Sequence, residues 1–190
     1  MRIATAAFFG AVVMFVWQFF AHMVLPIGEM GFRVPQNEDV VLQAVSTSLR
    51  EPGIYYLPYI APEKMGDRAA LEAWGAKAEK NPYVFAVVNT PPTDPITMLP
   101  QLGKQFVTNF LGALLVAFVL AATAWTFGMR IVGALAIGVF GWLLNIAPMW
   151  NWYRLPADFM FANLIEQGVG WLLAGVAIAW WLGRRTTAAR

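Results

Sequence analysis

Glu166 is the only carboxylate inside any of this chain's long apolar runs, and the candidate chemistry starts there. Insertion scales put an acidic residue near a bilayer centre at roughly +3 kcal/mol, and such groups face a partner or water. A carboxylate so placed can carry a proton, hold a cation or anchor a polar ligand. The plainer expectation is that it pairs with His22, Asn145 or Arg154 and ties helices together. Gln18 and His22 are four apart and share one helix face. At ~1.5 Å per residue from Ile3, Gln18 lies about two thirds of the way across a membrane and His22 near the far edge. Asn109 opens the second run at that edge, and Asn145 stands ~22 Å up from Arg130. Glu166 sits ~10 Å in from the same side, with Asn163 and Gln167 on adjoining faces. The polar groups therefore gather in one leaflet.

His22 is the only histidine. As a metal ligand it would need Glu29, Asp158 or Glu166 beside it, and no His-x-x-x-His spacing supports that role. The expectation is a hydrogen-bonded histidine at a span edge, with no metal, while Glu29 and Arg33 cap or pair at the exit of the first span. Trp150, Trp152 and Tyr153, in Met149-Trp-Asn-Trp-Tyr-Arg154, read as headgroup-level anchors. The sharper alternative is a headgroup site walled by these rings, with Arg154 meeting an anion. The candidate polar cluster is thus Gln18, His22, Asn109, Asn145, Arg154 and Glu166. No catalytic set and no cofactor is expected. The chain has 0 cysteines, which excludes thiolate metal sites, iron–sulfur clusters, disulfide exchange and covalent haem. One histidine excludes a bis-histidine haem.

The elements that must hold these groups are membrane spans. The sequence is 59% hydrophobic, and a span needs about 20 apolar residues. Residues 3–27, 106–127, 131–148 and 159–182 qualify, and in lipid each should be helical. Arg2, Arg130, Arg184, Arg185 and Arg190 share one side with no acidic residue. The positive-inside rule then predicts cytoplasmic termini, a cytoplasmic tail at 183–190, and outward-facing 28–105 and 149–158. The first run lacks an Ala-x-Ala cleavage pattern and reads as an uncleaved anchor. The net charge of +2 comes from those arginines and suits anionic lipid rather than nucleic acid.

Residues 28–105 read as a small α/β insert with a Pro-rich return, Pro91, Pro92, Pro95 and Pro100. Asn37 is expected to cap a helix to about Leu49, and Asp67 a second one to about Lys80. Ile54–Leu57 and Tyr83–Val88 read as strands. Strand, helix, strand in that order is the pattern of a right-handed βαβ unit. Two strands make a poor sheet, so the insert, with its Tyr55, Tyr56 and Tyr59 patch, should lean on the helices, a second copy or another subunit. Small residues at spacing four (Ala6 with Gly10, Ala113 with Ala117 and Ala121, Ala134 with Gly138, Gly170 with Ala174) predict closely packed helices.

Leu25-Pro26, Gly53-Ile-Tyr-Tyr-Leu-Pro58, Asn151-Trp-Tyr-Arg-Leu-Pro156 and Gly168-Val-Gly-Trp-Leu-Leu-Ala-Gly175 resemble a group of uncharacterised bacterial inner-membrane proteins. The resemblance implies a bacterial source and a four-span fold, and it carries no activity and no site residue. The fold class expected is a four-helix membrane bundle with a periplasmic α/β insert. The function expected is that of a non-catalytic accessory or assembly subunit, meeting membrane lipids and a membrane-protein partner or a second copy. The alternatives are a binding protein or transporter for a lipid, quinone or small ligand near Glu166, and a membrane enzyme using Glu166 as general acid or base.

Overall fold

The structure is a computed structural model that describes residues 1–89, 91 and 96–184. Pro92 and Pro95 of the linker, and Arg185 and Arg190 of the arginine-rich side, lie outside the described residues. The elements run α1 (Arg2–Met23), α2 (Glu38–Ser48), β1 (Gly53–Leu57), α3 (Arg68–Lys80), β2 (Val84–Val88), α4 (Leu99–Ala121), α5 (Phe127–Tyr153) and α6 (Ala157–Gly183), with short 3-10 turns at Pro26–Glu29 and Pro62–Lys64. They form two compact units, Met1–Arg33 with Ile96–Arg190, and Val34–Pro95.

In the first unit, α1, α4, α5 and α6 are each long and apolar enough to cross a membrane. The helices are offset from the expected spans. The second starts at Leu99 because Pro100 sits in its first turn, where its missing N–H costs nothing. It stops at Ala121, and residues 122–126 form the turn. Ala122, Ala124 and Trp125 are apolar, so hydropathy alone extends the span through them and the intervening Thr123. The Thr126 hydroxyl accepts from Met129 N–H at 3.4 Å and starts α5. That helix runs through Pro148 to Tyr153, since a proline in a membrane helix forfeits one hydrogen bond that neighbours can replace. Arg154, in the left-handed region at φ 54°, turns the chain into α6.

The helices stand in the spatial order α4, α1, α6, α5. The pairs α1–α4, α1–α6 and α5–α6 are extensive, and α4 meets α5 and α6 only lightly. Small side chains set this order. Ala6, Ala7 and Ala11 of α1, and Ala113 and Ala117 of α4, are buried. At Gly10 a Cβ would stand 2.8 Å from Ile178 and 3.4 Å from Ala113; at Gly175 it would stand 2.7 Å from the Ala134 Cβ. Van der Waals contact at such faces is what holds helices together in lipid. Of the spacing-four residues, Ala121 alone is exposed. At the arginine end, the Arg2 guanidinium donates to the Leu182 carbonyl near the C-terminus of α6, where a cation also complements the helix dipole. Arg184 lies over the Trp180 ring, 3.9 Å from its centroid.

In the second unit, Asn37 caps α2 by accepting from Val40 N–H at 3.2 Å. Asp67 caps α3 through Ala69 N–H at 2.9 Å and Ala70 N–H at 3.4 Å. The Trp74 indole donates to the Pro58 carbonyl at 3.0 Å and ties α3 to the end of β1. Tyr56 and Tyr59 meet edge to face at 5.1 Å. The strand–helix–strand order is present, but β1 and β2 pair antiparallel, Gly53 opposite Val88 and Leu57 opposite Val84. The expected parallel βαβ unit is therefore corrected. Parallel sheets persist where helices cover both faces, and this two-stranded ribbon has one 13-residue helix between its strands.

Candidate functional site

The polar cluster forms where the ends of α1, α4 and α6 farthest from the arginines come together. His22, on the last turn of α1, sets Nε2 at 3.2 Å from Glu166 Oε1. The carboxylate is 13% exposed and the imidazole 50% exposed, so one partner is shielded and the other opens outward. Glu166 lies ~14 Å along α6 from Ala157. Its place is set by a contact one turn on. The Trp17 indole donates to the Glu166 backbone carbonyl at 2.9 Å. Gly170 makes room for that bond, since a Cβ there would stand 2.6 Å from Met14 Sδ and 3.0 Å from Trp17 Cδ1.

Gln18 faces α4. Its Oε1 accepts from Asn109 Nδ2 at 2.7 Å and from Gln105 Nε2 at 3.3 Å, while Gln105 Nε2 also lies 3.0 Å from Asn109 Oδ1. Asn109 is 7% exposed, the one buried polar side chain among the described residues. A buried amide without partners is costly, and here both of its ends are used.

Two cavities adjoin across these groups. One, of 350 Å³, is walled by Phe15, Phe19 and Met23 of α1 and by Met98 and Leu102 at the head of α4. The other, of 420 Å³, is bordered by Asn163 and Gln167 of α6 and by the 3-10 turn after α1. Gln18, His22, Gln105 and Glu166 line both. Two glycines let the chain close over the second cavity. At Gly28 a Cβ would stand 2.8 Å from His22 Cγ. Gly31, at φ 91°, brings the chain against Phe159, whose backbone nitrogen would be 3.0 Å from a Cβ. Phe32 then meets Phe159 edge to face at 5.8 Å, and Arg33 donates to Asp158 Oδ2 at 2.6 Å.

No family model, curated protein or solved structure matches this chain. Any assignment therefore rests on the site itself.

Four of the six candidate polar residues, Gln18, His22, Asn109 and Glu166, come together. Of the partners expected for Glu166, His22 is the one it meets. Asn145 is exposed on α5 and donates to the Gly141 carbonyl of its own helix at 2.8 Å. Arg154 and the aromatics Trp150, Trp152 and Tyr153 are exposed at the end of α5, and they line neither cavity. Gln105 was not among the candidates because the linker was expected to run through it. Its spacing of four before Asn109 was the available signal. Among the described residues, no three His, Cys, Asp or Glu side chains gather as a metal set. Glu166 has a hydrogen-bonding histidine and open space beside it, but among the described residues neither cavity is lined by a serine, threonine, cysteine or lysine that could act as a nucleophile.

Proposed function

We propose that this chain is a multi-pass membrane protein that binds a lipid-like amphiphile in the groove between α1, α4 and α6. The observation that carries the reading is that an apolar cavity and a more polar one share Gln18, His22, Gln105 and Glu166 as lining. Ligand sites are concave and mostly apolar with a few convergent polar groups. These two halves suit a molecule with one hydrocarbon chain and a small polar head. Arg2, Arg130 and Arg184 at the opposite end support cytoplasmic termini and a site in the outer leaflet. The proposed setting is a bacterial inner membrane, as the sequence resemblance implies, with the insert on the periplasmic side.

The test is native mass spectrometry of the full chain released from mild detergent. Leu102, 45% exposed on the apolar wall, is the residue to enlarge. Leu102→Trp should leave helicity and monodispersity intact and eject a co-purifying amphiphile. Equal retention by the variant would refute the reading.

A second reading is an accessory or assembly subunit of a larger membrane complex, or a chain that completes itself on a second copy. One observation favours it. Within the insert only Pro58 and Ile60 are buried among the described residues, and a two-stranded ribbon is marginal by itself. Extraction from the native membrane should then bring a stoichiometric membrane partner with it, and isolation as a lone monomer would count against this.

A further inference from the structure

We infer that the groove selects an amphiphile with an uncharged, hydroxyl-bearing head and rejects a phosphorylated one; this rests on the groove reading above. Charge is the first argument. Among the described residues, Glu166 is the only carboxylate and His22 the only basic side chain along either cavity, and neither lining holds a lysine or arginine. An anionic phosphate would meet Glu166 with no permanent cation to offset it, and like-charge juxtaposition is strongly unfavourable. At the two helix starts, one amide is already spent and one position has none. Phe159 N–H at the start of α6 already donates to Asp158 Oδ1 at 3.0 Å, and Pro100 in the first turn of α4 has no N–H to give. Arg33 is engaged by Asp158 at 2.6 Å.

The unused hydrogen-bonding groups are the second argument. Gln18 spends its carbonyl on Asn109 and Gln105, which leaves its amide N–H groups to donate. Gln167 accepts from the Trp171 indole at 3.2 Å and likewise keeps its amide as a donor. Gln105 spends its amide and keeps its carbonyl, and Glu166 spends Oε1 on His22 and keeps Oε2. Donors and acceptors therefore stand together around the polar cavity. A hydroxyl both donates and accepts and can use both kinds. A fully ionised phosphate accepts only and would leave Gln105 and Glu166 facing lone pairs. A quaternary ammonium can neither donate nor accept and would compete with His22 for the carboxylate.

The experiment uses the full chain in phosphatidylcholine nanodiscs. Three probes of equal chain length displace a fluorescent monoacylglycerol: a monoacylglycerol, a lysophosphatidate and an alkyltrimethylammonium. The monoacylglycerol should bind saturably, one per chain, at least about tenfold tighter than the lysophosphatidate. Glu166→Gln should narrow that gap by admitting the phosphate. If that variant does not fold, Gln105→Leu, at an exposed position on α4, should weaken the monoacylglycerol without helping the phosphate. Lysophosphatidate or the ammonium binding as tightly as the monoacylglycerol would overturn the inference and leave the groove reading standing. No saturable binding by any probe would overturn both.

Discussion

Replacing Asn109 with leucine tests the hydrogen bond by which it joins α4 to α1. Leucine is close to asparagine in size, and the site is 7% exposed, so shape is kept while the amide is lost. Asn109→Leu removes two contacts, the 2.7 Å interhelical bond to Gln18 Oε1 and the 3.0 Å bond from Gln105 within α4. Gln18→Leu also removes two, the same 2.7 Å bond and the 3.3 Å bond from Gln105. The double variant loses three rather than four, because one bond is shared. Interhelical hydrogen bonds in membranes average about 0.6 kcal/mol and reach about 1.7. On that scale each single variant should lose about 1–3 kcal/mol, and the double should lose less than their sum by the shared bond, about 0.6–1.7 kcal/mol. The assay is reversible unfolding in mixed micelles, followed by circular dichroism over a denaturing-detergent titration, for all four proteins of the cycle. Additivity within about 0.3 kcal/mol would refute the claim that Gln18 and Asn109 act together.

Gly31→Ala places a side chain at φ 91° against Phe159 and should cost about 1–3 kcal/mol, seen as a lower midpoint in the same titration. Gly175→Leu pushes α6 off Ala134 and should cost about 1–3 kcal/mol. Gly141→Ala, with open space around it, should be neutral or gain up to about 1 kcal/mol; equal effects at these two glycines would undo the packing argument. Asp67→Ala removes the cap on two α3 amides and should weaken the insert by about 1 kcal/mol, read as faster hydrogen exchange in α3. A reporter joined after Arg190 should be active on the cytoplasmic side, and activity on the other side would reverse the orientation derived from the arginines.

Much of the membrane unit was legible because hydropathy and charge are properties of the chain itself. Apolar runs of span length, helix rise and the placement of Arg2, Arg130 and Arg184 put Gln18, His22, Asn109 and Glu166 near one level. Depth follows from counting residues along a helix, whatever that helix packs against. The Asn37 and Asp67 caps were readable for a similar reason, since a capping side chain bonds to amides only two or three residues away.

Neighbour choice and rotation were not readable that way, because a helix apolar on every side can present any face to lipid. Asn145 has the right depth, yet it points away on α5 and bonds to its own helix. Glu166 meets His22 because small residues bring α1 against α6, and Gln105 joins because α4 begins earlier than its hydropathy suggests. The antiparallel turn of β1 against β2 is likewise a long-range pairing that local propensity does not specify. The chain's chemistry determined how far along each helix the polar groups lie. Contact between glycine and alanine surfaces, which depends on which helices become neighbours, decided which of those groups meet.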